Sequence, residues 1–166
     1  MLVDGFVPVV GKNAGILILG TLPGRESIRL NQYYADPGNS FWFVVDNLFN
    51  IRGNYEERVQ GLIEKRISIW DVLQSAERGG SLDSKIVKGT EVPNDFEAFF
   101  AKNASIKTVF FNGRLAESYF RKLALPCLQL CAGSPRRHFA LPSTSRTNTH
   151  FTKDAKVEGW RLCTVC

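Results

Sequence analysis

The sequence predicts an α/β fold, a three-layer α/β/α sandwich around a four-stranded parallel sheet. Short apolar runs alternate with segments of helical periodicity along the chain, which is the order that successive βαβ units produce. Residues 16–19, Ile-Leu-Ile-Leu between two glycines, are apolar at every position, which is typical of a strand buried on both faces. The chain has 166 residues, 44% of them hydrophobic, and we therefore expect one domain over residues 1–166.

Each predicted strand is a short apolar run followed by a polar or glycine-containing turn. The expected strands cover residues 16–19, 67–71, 107–111 and 128–131. Helices are expected where apolar residues recur every three or four positions. These segments are residues 40–50, 55–65, 94–102, 114–124 and 152–162. The segment after the second strand, up to residue 86, is expected to be a long excursion. Residues 1–14 are expected to cover an edge of the core through Phe6, Val7, Val9 and Val10.

The charge balance indicates the kind of partner. The net charge is +5 and the pI is about 9.2, which favours anionic partners and nucleic acid first. The N-terminus lacks a signal-peptide pattern, and no apolar run approaches the roughly 20 residues of a membrane span. We therefore expect a soluble, cytoplasmic protein that does not bind membranes.

Four cysteines lie in the last third of the chain, at positions 127, 131, 163 and 166. Two closely spaced pairs would suit zinc or an iron–sulfur cluster. Cys127 and Cys131, however, lie in a run that alternates like a strand, and Cys166 is the last residue. We therefore expect no metal site.

The turn after the first strand, residues 20–24, is expected at the carboxyl edge of the sheet, where open α/β folds bind ligands. It matches neither the Walker A loop nor the GxGxxG motif. The residues that follow mix polar groups, aromatic rings and turn residues, which suits a pocket for a flat ligand. Tyr34 offers a ring for stacking on a base. Asn39 offers an amide, with capping of the next helix as the alternative.

Two further segments are expected at the same edge. Asn112 follows the third strand, where its amide suits either a base edge or a simple turn. Residues 133–148 combine arginines with hydroxyl side chains, which suit phosphate oxygens, although a solvated basic loop has the same composition. The candidate phosphate contacts are Arg136, Arg137, Ser143, Thr144, Ser145 and Arg146.

Six segments, in order along the chain, resemble one family. They are GTLPG at 20–24, YYADPGNSFW at 33–42, WDVL at 70–73, GSLD at 80–83, FNG at 111–113 and LPSTS at 141–145. The set is similar to the motifs of the hypoxanthine-DNA glycosylases, family 6 of the uracil-DNA glycosylase superfamily, and spans most of the chain. The resemblance implies the uracil-DNA glycosylase-like sandwich and excision of deaminated bases, chiefly hypoxanthine, in base excision repair. It implies no metal and no cofactor. Because the motifs contain no lysine, a monofunctional enzyme is expected.

The resemblance also implies roles for individual residues. By position, Asn39 matches the family's catalytic asparagine and Tyr34 the ring that stacks on the flipped base. Asn112 matches the asparagine that recognises the base edge, and LPSTS the loop that grips the DNA backbone. A neutral amide suits the role of Asn39, because it can orient the attacking water and stabilise an oxocarbenium-like sugar through fixed dipoles.

Two departures from the superfamily pattern change where the chemistry is expected. Leu22 stands where other branches have an Asp or Asn, which favours Asn39 as the catalytic residue. Leu141 stands where the uracil-specific branch has a histidine that stabilises the leaving base. Backbone amides near Thr21 and Leu22, together with Asn112, are expected to provide that stabilisation.

Two other departures concern loops. Asp36 stands where relatives often have a histidine, and it would act either as a second base or as a turn residue; the turn is favoured. Arg146 stands where relatives often have a proline, and it would contact either the minor groove or a phosphate.

Three alternatives remain open from the sequence. A mismatch uracil-DNA glycosylase would share the fold and the reaction. A catalytically inactive module would bind DNA only, and a nucleoside hydrolase would use the same pocket on a free substrate. The expected partner is double-stranded DNA with a deaminated base, single-stranded DNA being the alternative substrate, and the chain is expected to be a monomer.

Overall fold

A parallel sheet of four strands lies at the centre of the protein. The structure, a computed structural model, describes residues 1–130 and 136–165 of the chain. The sheet contains the strands β2 (Ile16–Gly20), β3 (Ile67–Asp71), β6 (Thr108–Asn112) and β7 (Arg137–Leu141), in the order β3-β2-β6-β7. Helices cover both faces, so the predicted α/β fold with a four-stranded parallel sheet is confirmed.

The fourth strand is not the one that the sequence predicted. Residues 128–130 belong to helix α6 (Leu125–Leu130), Cys131 lies outside the described residues, and the strand is β7. The prediction was wrong because β7 lies at the edge of the sheet and is exposed or half-buried along most of its length. An edge strand of this kind lacks the continuous apolar run of a central strand. The strand-like alternation inferred for Cys127 is therefore absent.

A second, smaller sheet contradicts the prediction of a long excursion after β3. It contains β1 (Leu2–Asp4), β4 (Leu73–Glu77) and β5 (Val92–Pro93), in the antiparallel order β1-β4-β5. Val9 forms a bridge to Ile69 and is half-buried, as are Phe6 and Val10. Val7 was expected to cover the core, but it is 82% exposed.

Seven α-helices are present among the described residues. They are α1 (Arg25–Leu30), α2 (Phe41–Phe49), α3 (Tyr55–Glu64), α4 (Phe96–Lys102), α5 (Arg114–Tyr119), α6 and α7 (Lys153–Trp160). A π-helical stretch, Phe120–Ala124, joins α5 to α6, and short 3₁₀ turns cover Asp83–Lys85 and Arg161–Thr164. Side-chain caps fix several starts: Asn54 and Glu57 form a capping box on α3. None of the helices within the described residues is long and apolar enough to span a membrane.

The alternating side chains of β2 build two cores, one on each face of the sheet. Leu17 and Leu19 belong to the cluster on one face, and Ile16 and Ile18 to the cluster on the other. All five residues of this strand are buried. Trp160 of α7 is fully buried in the second cluster. The rigid sheet thus holds the ends of its strands in fixed relative positions.

Candidate active site

A cavity of about 850 Å³ opens at the carboxyl edge of the parallel sheet. Three strand ends lie on it: Gly20 of β2, Asp71 of β3 and Asn112 of β6. Gly20 is paired with Asp71 in the sheet register. The rest of the wall comes from Phe6 and from four segments, residues 21–39, 81–84, 113–115 and 143–150. The sequence therefore placed the pocket correctly at this edge.

Tyr34 presents its ring at this cavity. One face of the ring stacks on Phe41 of α2, with ring centroids 3.8 Å apart and planes inclined by 16°. Tyr34 has a positive φ of 54°, a conformation that costs energy for a residue other than glycine and is common at functional sites. Burial raises the pKa of its hydroxyl above the ordinary value. The supported ring is half-buried and lines the cavity, as a base-stacking ring requires.

Asn39 lines the same cavity at the start of α2. Its side-chain Oδ1 accepts a hydrogen bond from the backbone N–H of Phe41 at 2.9 Å, and its backbone N–H donates to the Asp36 carbonyl at 2.8 Å. The side chain therefore does support the helix start, which was the alternative reading of this residue. The same contact fixes the direction of the amide group, while Oδ1 keeps a second lone pair for a water molecule.

Asn112 is joined to the second motif by two hydrogen bonds. Its Oδ1 accepts from the Thr144 amide and its Nδ2 donates to Thr144 Oγ1, both at 2.8 Å. Thr144 is fully buried, so its side chain holds the loop and does not face solvent. Gly113 is required beside it, because a Cβ at that position would lie 2.9 Å from Ser143 Cβ.

Four consecutive carbonyl groups of the second motif are held from inside the protein. The Pro142 carbonyl accepts from Trp160 Nε1 and the Ser143 carbonyl from Asn148 Nδ2. The Thr144 carbonyl accepts from both the amide and the hydroxyl of Ser40, at 2.9 and 3.1 Å. The Ser145 carbonyl accepts from Lys156 Nζ at 3.0 Å. The loop is therefore fixed against α2 and α7.

Lys156 is a supporting residue that the sequence analysis missed. Its side chain is buried, and desolvation together with Lys153 lowers its pKa. A signal was present, because Lys156 shares its buried helix face with Val157 and Trp160, and a lysine on such a face needs an internal acceptor.

Asp36 and Arg146 connect the first and second motifs. Asp36 Oδ1 accepts from the Gly38 amide at 2.8 Å, which confirms the turn interpretation of this residue. Its Oδ2 lies 3.5 Å from Arg146 Nε, and the arginine side chain is 63% exposed. A Cβ on Gly38 would lie 2.8 Å from Arg146 Cδ. The arginine thus extends over the first motif toward solvent.

Thr21 and Leu22 form a buried part of the cavity wall. The Thr21 carbonyl accepts from the Leu73 amide at 3.1 Å, and its side chain hydrogen-bonds Asp83. Arg78 is 1% exposed and donates to the carbonyls of Pro23 and Gly80 and to Asp83. The buried guanidinium group of Arg78 therefore holds this part of the cavity wall in place.

Two of the candidate phosphate contacts lie elsewhere. Arg136 packs over the Phe100 ring and donates to the Ile106 carbonyl. Arg137 is the first residue of β7 and donates to Thr108 Oγ1, so both are at the amino edge of the sheet. The expectation that residues 133–148 form a single loop at the carboxyl edge was wrong, because residues 137–141 form β7.

Asp71 lines the cavity but was not selected by sequence reasoning. It is 4% exposed, and burial raises the pKa of its carboxyl group to about 8, assisted by Asp83 and opposed by Arg78. A carboxyl group directly after a buried strand was visible in the sequence. Its burial was not, because the loops that cover it are remote in the chain.

The family follows from comparison with known proteins. The model of the uracil DNA glycosylase superfamily matches residues 7–162, and the chain belongs to this superfamily. A protein of Methanosarcina acetivorans named hypoxanthine DNA glycosylase is 39% identical over 163 residues, covering 95% of this chain and 96% of the relative. One of Methanosarcina barkeri with the same name is 40% identical over 121 residues, 70% of this chain and 74% of the relative.

A solved structure agrees with this assignment. The solution NMR structure of a Methanosarcina acetivorans protein, provisionally described as a uracil DNA glycosylase, superposes with a TM-score of 0.78. The two chains are 36% identical, and the superposition covers 98% of this chain and 96% of the other. The resemblance on which the sequence analysis depended is therefore confirmed.

Proposed function

We propose that this protein is a monofunctional DNA glycosylase that hydrolyses the N-glycosidic bond of hypoxanthine in DNA, as a step of base excision repair. Membership of the superfamily supports the reaction, and the names of the two archaeal relatives support hypoxanthine as the base. The observation that carries the proposal is that Tyr34 and Asn39 lie on one cavity at the carboxyl edge of the sheet.

The cavity suits an extruded nucleotide. Its volume of about 850 Å³ is of the size that holds a ligand larger than a single base. The base would stack on the face of Tyr34 that Phe41 does not cover, and flipping would cost a few kcal/mol, least at a mismatch. The loop of Ser143, Ser145 and Arg146 would contact the DNA backbone beside the cavity.

The reaction needs little beyond positioning. The bond between the sugar C1′ and the base nitrogen breaks, and its electron pair leaves with the base. Water attacks C1′ and loses a proton while the anionic base takes one up, so that an abasic sugar and the free base result. Asn39 would orient this water through the free lone pair of Oδ1, because the Phe41 amide holds the group in place. Dipoles around the leaving base would stabilise its negative charge.

A strand-cleavage assay tests the proposal. Labelled duplexes with a single deoxyinosine or deoxyuridine are incubated with the protein and then treated with alkali. We expect breaks at deoxyinosine, only after alkali, and their loss in Asn39→Ala. Asn47→Ala is the matched control, because Asn47 is an exposed asparagine on the same helix. Breaks at deoxyuridine alone would identify uracil, and not hypoxanthine, as the base that is removed. Binding without breaks at either base would indicate a DNA-binding module.

A further inference from the structure

Two buried polar atoms on the floor of the cavity have no hydrogen-bond partner in the described part of the chain. They are Asp71 Oδ2 and the Tyr34 hydroxyl, which meets no hydrogen-bond geometry although the Asn112 side chain is near enough to lower its pKa. Each such atom costs about 1–3 kcal/mol unless something else satisfies it, and a native protein retains few of them. Both residues line the same cavity. A ligand whose polar edge meets Asp71 would satisfy its Oδ2.

Gly20 makes room for this pair of groups. A Cβ on Gly20 would lie 2.5 Å from Asp71 Oδ1 and 3.2 Å from the Tyr34 hydroxyl. The carboxyl group and the phenol therefore converge over the backbone of β2, next to the turn of the first motif. Only glycine permits this close approach, which places a donor and an acceptor at the bottom of the cavity.

Among the described residues, no cation forms an ion pair with Asp71, although the charge of Arg78 partly opposes the rise of its pKa. The guanidinium of Arg78 donates to Asp83 and to two backbone carbonyls. Burial raises the pKa of Asp71 to about 8, and the charge of Asp83 adds to this. The protonated form is therefore favoured near neutral pH, and this form offers one O–H donor and one carbonyl acceptor.

Hypoxanthine and uracil share an edge that fits such a group. In each, a ring N–H lies directly beside a carbonyl. We propose that Asp71 contacts this edge of the flipped base as a neutral acid, donating to the base carbonyl and accepting from the ring N–H. This inference rests on the proposed function and assigns Asp71 as a base-contacting residue of that site.

Ionisation of Asp71 would abolish the fit. A carboxylate has no donor and would face the base carbonyl with a negative charge. The charged and titratable groups around Asp71 are Asp83, Arg78, Tyr33 and Tyr34. Burial raises the pKa of both tyrosines above their ordinary values, and Arg78 stays charged. Binding of the base should therefore weaken as pH rises through the pKa of Asp71.

The pH dependence of single-turnover excision tests this. We expect the wild-type rate on a deoxyinosine duplex to fall about tenfold per pH unit above about 8. Asp71→Asn keeps a donor and an acceptor, so its rate at neutral pH should stay within about tenfold and the alkaline decline should disappear. The ring N–H of the substrate titrates equally in both experiments, so the difference between the profiles isolates Asp71.

Asp83→Asn is a useful companion, because removal of its charge should move the wild-type decline to lower pH. An unchanged alkaline decline in Asp71→Asn, or full activity of Asp71→Ala at all pH values, would overturn the assignment while leaving the glycosylase intact. A wild-type protein inactive on both bases would instead overturn the proposed function and this inference with it.

A measurement on the wild-type protein avoids any effect of substitution on folding. The carboxyl carbons of ¹³C-labelled aspartate are followed by NMR, with and without a duplex that carries non-hydrolysable 2′-fluoro-deoxyinosine. We expect Asp71 to remain protonated at pH 7 and to shift on binding of this duplex. A carboxylate at pH 7 in the complex, or no response to the duplex, would contradict the proposal.

Discussion

The side chain of Asn112 spans the gap between strand β6 and the second motif, with both of its polar atoms bonded to Thr144 at 2.8 Å. This reciprocal pair joins residues that are 32 positions apart. Asn112 therefore holds the loop of the second motif in place. This role is separate from the contact with the base that the family resemblance implies. The two roles lead to different mutant behaviour.

We expect Asn112→Ala to reduce excision of deoxyinosine and deoxyuridine by similar factors and to destabilise the fold by about 1–3 kcal/mol, since two buried groups of Thr144 lose their partner. Thr144→Val, which removes only the hydroxyl, should show a smaller loss of the same kind. Excision assays and urea denaturation measure both. A change in the preference between the two bases with unchanged stability would instead support base reading by Asn112.

Gly20 and Gly24 bound the turn of the first motif, and they should respond differently to alanine. In Gly20→Ala the new Cβ would meet Asp71 Oδ1 at 2.5 Å, whereas at Gly24 the nearest atom is 4.0 Å away. We expect Gly20→Ala to lower the single-turnover rate by about 10²-fold, the effect of a displacement near 1 Å. Gly24→Ala should stay near the wild-type rate. Equal rates in the two variants would contradict the close packing at the cavity floor.

Lys156 should act on DNA binding through the second motif. In Lys156→Met the Ser145 carbonyl loses its buried donor, so we expect a loss of about 1–3 kcal/mol in stability and weaker binding of duplex DNA. Lys153→Met is the matched control, because Lys153 lies exposed at the start of the same helix. Thermal unfolding and fluorescence anisotropy provide the two readouts. Equal effects of the two variants would mean that the loss of one positive charge, and not the loss of the hydrogen bond to the Ser145 carbonyl, explains them.

Arg146 should contribute to affinity but not to stability. Its ion pair with Asp36 is long and largely exposed, and such pairs contribute little to folding. We expect Arg146→Ala to weaken binding and to lower the slope of log K against log salt by about 1, as for one lost phosphate contact. Arg137→Ala, at the opposite edge of the sheet, should leave the slope unchanged. A loss of slope with Arg137→Ala would place DNA on both edges.

Asp71 should make stability depend on pH. Its pKa rises from an ordinary 3.8 to about 8 in the folded protein. Between these values the folded state holds a proton that the unfolded state has released, so the free energy of unfolding falls as pH rises through this window. We expect Asp71→Asn to gain stability relative to wild type from about pH 5 to about pH 9. Urea denaturation at both pH values checks this, and a difference independent of pH would contradict the raised pKa.

Some of these features were accessible from local sequence. The central strands could be predicted because burial on both faces makes every position apolar, as in residues 16–19. The pocket followed from the turn that ends such a strand. Asn39 and Tyr34 stood out because ordered segments matched a family. The edge strand β7 did not stand out, because its partly exposed side chains leave no continuous apolar pattern.

The sequence by itself thus determined the fold class, the superfamily and the loops that carry the chemistry, since periodicity and motif order are properties of neighbouring residues. Only the tertiary structure decided which polar groups lose contact with water and which partners they find. Thr144 became a buried anchor through Asn112 and through Ser40, which is 104 positions away. Asp71 became buried beside Gly20, which is remote in the chain, and this burial raises the pKa of its carboxyl group. Desolvation and hydrogen bonding depend on distances in space, which residue order along the chain does not specify.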